Sequence, residues 1–182
     1  MSPHASRLRR VPSVRVWILT LACAAAVAFA ADEKFEQHVH EHGKVTLNVA
    51  LEGGALSIEL DAPADNVIGF EHAPRTDAER TAIANAASLL QSGDGLFAFS
   101  PAAACKFAKS ELHAPEWKEG QHHADYEANF SFTCGQPQHL DWLQLPLLAK
   151  LREVHQAQVN VVTAKSQLQA TITSPTARVK LQ

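Results

Sequence analysis

The first fifteen residues hold no acidic side chain, yet they contain four arginines, Arg7, Arg9, Arg10 and Arg15. Beyond one uncharged stretch close behind them, no run approaches the roughly 20 apolar residues that cross a bilayer as a helix. No second membrane segment is expected. Cysteine is scarce, three in 182 residues, and no Cys-x-x-Cys pair occurs, which argues against a thiol redox catalyst. The metalloprotease pattern His-Glu-x-x-His fails in His40-Glu41-His42-Gly43-Lys44, because Lys44 stands where the second histidine belongs. No Gly-x-Ser-x-Gly elbow and no phosphate-cradling glycine loop is present either. Hydrolytic and nucleotide chemistry are left without a motif.

What is present begins with the arginines. They are followed by residues 16–30, an uncharged run ending in Ala28-Phe29-Ala30. A basic start, an apolar middle and a small-x-small exit form a secretory signal, with cleavage expected before Ala31. The domain expectation is therefore a signal peptide over 1–30 and one exported domain over 31–182. Taking four arginines from the 16 basic residues leaves 12 against 19 acidic ones, so the net charge moves from −3 to −7. An acidic surface cannot supply the phosphate contacts on which nucleic-acid affinity rests, and no nucleic-acid partner is expected. With one methionine and an alanine-rich body the chain looks bacterial, and the expected compartment is the periplasm.

Cys23 leaves with the signal, and Cys105 and Cys134 remain as an even pair for an oxidising compartment. The runs 105–115 and 124–134 read as strands, the second with Tyr126, Ala128, Phe130, Phe132 and Cys134 on one face. Paired as an antiparallel hairpin, they set Cys105 opposite Cys134 at the open end, so a disulfide is expected. Residues 37–50 alternate toward Val45, Leu47 and Val49, and Gly53-Gly54 turns the chain into Leu56, Ile58 and Leu60, a second hairpin ended by Pro63. Thr76 with Glu79 forms a capping box for a helix over about 77–91, and Gly93 lies past its end. Residues 141–151 suggest a strand and a short helix, and 154–162, 168–173 and 179–181 three late strands. The fold class is α+β, mainly antiparallel sheet with one principal helix and a disulfide-closed hairpin.

Nine histidines follow the signal. His38, His40 and His42 recur at spacing two, which on a strand places all three on one side. Adjacent members would be about 6 to 7 Å apart, close enough to share one zinc at bonds of about 2 Å, while the outer pair near 13 Å is too far on a flat strand. Two strand histidines plus a ligand from elsewhere is the better geometry. A second set, His113, His122, His123 and Asp125, with Glu116 and Glu119 nearby, flanks the closed end of the cysteine hairpin. A third, Glu71-His72, precedes the helix, either as ligands or as a carboxylate orienting an imidazole. Each set also has a plain structural explanation: a solvated tail, an exposed loop, and a helix cap with a polar niche. His139 and His155 stand alone and read as structural. Imidazole and carboxylate suit Zn2+, and equally Cu2+ or Ni2+. Because neutral imidazole is the ligand, binding is expected to weaken below about pH 6.5.

The run His38-Val39-His40-Glu41-His42-Gly43, the alternation through Gly53-Gly54, and Gly69-Phe70-Glu71-His72-Ala73-Pro74-Arg75-Thr76 together resemble the ZrgA-like family of zinc-regulated bacterial periplasmic proteins. The resemblance covers essentially the whole exported chain, including Cys105 and Cys134. It implies a secreted α+β domain, zinc binding, expression tied to zinc scarcity, and zinc acquisition beside ABC-type importers, so an importer component is an expected partner. Members commonly carry a long His/Asp/Glu-rich loop between the two cysteines, whereas here only residues 116–125 stand there, with two histidines. A few defined sites therefore fit better than high-capacity buffering. The expectation is a zinc-binding protein and not an enzyme; the alternatives are a zinc-dependent metallohydrolase, or an envelope protein without tight metal binding.

Overall fold

The computed structural model describes residues 41–117 and 124–181. Alternating apolar residues build β1 (Lys44–Glu52) and β2 (Ala55–Pro63), an antiparallel pair closed at Gly53-Gly54 with Leu51 opposite Leu56. Strands β4 (Cys105–His113) and β5 (Asp125–Cys134) form the expected hairpin, with Cys105 facing Cys134 and joined to it by a disulfide. Late in the chain come β7 (Gln156–Thr163) and β8 (Gln167–Ile172). These six strands make one sheet in the order β4-β5-β2-β1-β7-β8, antiparallel throughout except for β1 beside β7. A second, three-stranded sheet joins β3 (Ala98–Phe99), β6 (Trp142–Gln144) and β9 (Val179–Lys180). The α+β class, the mainly antiparallel sheet and the disulfide-closed hairpin hold as expected.

Two helices complete the frame, the short α1 (Ala64–Ile68), absent from the sequence expectation, and α2 (Asp77–Ser92). Thr76 and Glu79 satisfy each other's backbone N–H groups in the capping box, and Gly93 takes the left-handed conformation that ends α2. Ala86 and Leu90 of α2 are buried in one core with Leu47, Ile58, Phe130 and Val159 from the large sheet and Leu143 and Val179 from the small one. The opposite face of the large sheet is polar. There Gln169, Asn160, Asn48 and Glu59 donate and accept in series across four strands, at 2.9, 2.9 and 3.3 Å.

Tyr126 is fully buried on β5, and its hydroxyl has no hydrogen-bond partner among the described residues. Burial pushes its pKa up to about 12. An unsatisfied buried hydroxyl costs about 1 kcal/mol or more, so Tyr126→Phe is expected to raise stability by about that amount in urea titrations. Because the folded pKa lies above the ordinary value of 10.0, this phenol's pH-linked contribution is complete below about pH 10 and is lost as the pH climbs toward 12. Wild-type stability should fall over that window, and the Phe variant should lack that part of the fall.

Candidate metal centre

Strand direction brings several described members of the histidine sets to one end of the large sheet. β1 begins there at Lys44 and β7 begins beside it, with Lys44 in register with Gln156. β2 ends there at Pro63, opposite Asp125 at the start of β5, and β4 ends there at His113, opposite Glu127. The Gly53-Gly54 turn and the disulfide occupy the other end. Pairing thus sets positions 42, 65 and 155 together at the start of β1 and β7, while His113 lies at the same end on the edge strand β4, three strands away, about 14 Å.

His42 is not on a strand, contrary to the alternation read over 37–50. Residues 41–43 form a turn, in which Lys44 N–H donates to the Glu41 carbonyl at 3.1 Å. Gly43 has φ +79°, a left-handed value that glycine adopts without strain, and it breaks the extended run before Lys44. His38 and His40 lie outside the described residues, as do His122, His123 and Glu119. The His42 side chain is 89% exposed, and its Nδ1 contacts the carboxylate of Asp65 in α1.

The cleft beneath His42 is built around Asn66, which is completely buried. Its Oδ1 accepts from Gly43 N–H at 2.6 Å, while Nδ2 donates to the carbonyls of Lys44 at 2.7 Å and Glu41 at 3.3 Å. Its own carbonyl accepts from Glu153 N–H at 3.0 Å, and the Gly43 carbonyl accepts from His155 N–H at 2.8 Å. Asn66, through its amide side chain and its own carbonyl, therefore locks together the turn before β1, helix α1 and the entry to β7. The resulting open cleft of about 420 Å³ is lined by His42, Gly43, Asp65, Asn66, Gly69, Glu153 and His155. Gly43 lies against the His155 ring, since a Cβ there would stand 3.1 Å from its Cδ2. Lys44 pairs with Glu41 at 3.3 Å, and Arg152 approaches Glu153 at 3.8 Å. Asp65 is left turned toward His42.

Glu71 and His72 lie in the loop between the helices. The His72 ring stacks on Phe70, its Nδ1 is 3.0 Å from the Ala73 carbonyl, and Phe70 in turn meets Trp117 beside the hairpin tip. This aromatic chain ties the Gly69-Phe70-Glu71-His72 loop to the end of the hairpin that carries His113 and Asp125. The cap of α2 is made by Thr76 and Glu79, not by Glu71; the backbone N–H groups of Arg75 and Thr76 hold the Glu79 carboxyl below its ordinary pKa. His113 closes β4 on the polar face of the sheet, in the row that continues through Glu127 to Asp61.

Among the described residues, no three His, Cys, Asp or Glu side chains converge closely enough to hold a metal ion as they stand. The described members of the expected sets are spread along one end of the sheet without forming a closed cage. Sequence reasoning missed Asp65, Glu153 and His155. The signal that points to the last two is Glu153-x-His155 at the mouth of a strand, a spacing of two like that of His40 and His42; only the parallel pairing of β7 with β1 shows where it leads. None of the curated proteins matches this chain. A family model described as ZrgA family zinc uptake protein matches residues 39–181, from within the His-x-His-x-His run to the last strand. The chain belongs to the ZrgA family of zinc uptake proteins.

Proposed function

We propose that this chain is exported by the signal at 1–30 and captures Zn2+ in the periplasm as the single domain 31–182, then passes it to a component of an ABC-type importer. The observation that carries this reading is that His42, His113 and Asp125 lie along one end of the large sheet, with the His72 loop tied to it through Phe70 and Trp117, in a zinc uptake family. Exposed imidazoles such as those of His42 and His113, not held in a closed cage among the described residues, suit capture and release, because the ion assembles its ligands on arrival and lets them part on transfer. An acidic surface favours a cation's approach.

Calorimetric titration of zinc into the chain is expected to give micromolar or tighter binding, weakened at least about tenfold when His38, His40 and His42 are all changed to Ala. Absence of binding would sink the proposal, and an unchanged affinity would move the site to Glu71-His72 or the hairpin tip. Mass spectrometry of the exported chain should find Ala31 at its start. Handover predicts that zinc reaches an importer's periplasmic binding protein faster than it leaves for a soluble chelator of equal affinity.

A further inference from the structure

The cleft between the turn at His42 and the entry to β7 contains a second imidazole with no part in the sequence-derived ligand sets. We infer that His155 is a zinc ligand facing His42 across this cleft, and that Asp65 is a positioning residue that fixes the ring of His42 for the ion. The inference rests on the zinc-capture reading and says where in the fold the ion is held.

Three features support it. His42 meets Asp65 through Nδ1, so a proton on that nitrogen is donated to the carboxylate and the Nε2 lone pair stays open for a metal, the arrangement in which an outer carboxylate orients a ligating imidazole. His155 lines the same cleft, and its backbone is hydrogen-bonded at 2.8 Å to the residue next to His42, so the two histidines are held by one short stretch of backbone. Gly43 offers no side chain between them, because any Cβ would press on the His155 ring at 3.1 Å. At the rim Lys44 is paired with Glu41, while Arg152 lies against Gly69 and 3.8 Å from Glu153, whose carboxylate offsets its charge. Two imidazoles leave coordination positions for a further histidine of the same chain or for water, as a site that must release its ion requires.

The test is zinc affinity by competition with a chromophoric chelator, on the full chain expressed with its export segment, recovered as the cell processes it and carrying no histidine tag. His155→Ala should weaken zinc binding at least tenfold and diminish the visible absorption of the cobalt-loaded protein, while His139→Ala, at an exposed histidine near the disulfide end, changes neither. Asp65→Asn should weaken binding about 10- to 100-fold, with Asp65→Glu recovering part of the loss because the carboxylate returns. Thermal melts of the metal-free variants serve as the folding control, and His155→Gln substitutes if His155→Ala is unstable. Equal affinities for wild type, His155→Ala and His155→Gln would overturn the inference while leaving zinc capture intact. An equal loss in His139→Ala would overturn it too, as would the same affinity in Asp65→Glu and Asp65→Asn. A wild-type chain that binds no zinc would remove the capture reading and this one together.

Discussion

Asn66→Ala should lower the stability of the chain by about 3 kcal/mol, because it strands the Gly43 N–H and the Lys44 carbonyl, while the Glu41 carbonyl keeps its bond from Lys44 N–H. Asn66 accepts from Gly43 N–H and donates to the carbonyls of Lys44 and Glu41, all through a side chain with no solvent exposure. Leaving a buried donor or acceptor unpaired costs about 1 to 3 kcal/mol each, well above the net gain of an ordinary hydrogen bond. Urea titration should show a lower midpoint with an unchanged slope, since the surface exposed on unfolding is the same. Asn66→Asp is the sharper variant. It keeps the acceptor for Gly43 but turns an oxygen toward the Lys44 carbonyl and adds a carboxylate beside Asp65, so it should be no more stable than the alanine variant. A loss below about 1 kcal/mol in both would mean that the turn before β1 is held by other contacts.

The contrast between what sequence reveals and what it hides follows sequence separation. The two hairpins were legible because their signals are local: Gly53-Gly54 between alternating runs, and an apolar face on β5 in period with Cys134. Helix α2 was legible from its capping box and the glycine beyond it. The pairing of β1 with β7 joins residues more than a hundred positions apart and is parallel, so no turn announces it. His155 therefore reads as an isolated histidine in the sequence: its place beside the turn at His42 comes entirely from the strand it introduces lying against the one that His42 precedes. The misreading of His42 has a different cause. Period two continues through His38, His40 and His42, but the glycine that follows takes a left-handed φ, and a backbone hydrogen bond to Glu41 closes a turn where alternation suggests strand. Asn66 and Asp65 had no pattern to betray them, since a five-residue helix is too short to show a periodicity.

Replacing Cys105 and Cys134 together by alanine should cost about 3 to 4 kcal/mol, the entropy that the cross-link removes from the unfolded chain when it closes a loop of this length. The two cysteines are 29 residues apart and join the edge strand β4 to β5 at the end of the sheet remote from the histidines. Among the described residues β4 has a single sheet neighbour, and its inner face leans on α2, where Phe107 meets Gly93 and Ser110 donates to the Gln91 carbonyl. Losing the bond should therefore loosen β4 first, visible as faster amide exchange along Cys105–His113 than along β1 or β7. The same experiment separates two locations for the metal. A site centred on His42, Asp65 and His155 depends on β1, α1 and β7, so the double variant should keep its zinc affinity within about threefold at temperatures where it remains folded. A site dominated by the hairpin tip depends on the placement of β4 against β5, and its affinity should fall with the stability. Zinc titration of the alanine pair, run beside its urea curve, thus distinguishes a centre anchored in the middle of the sheet from one carried on its edge.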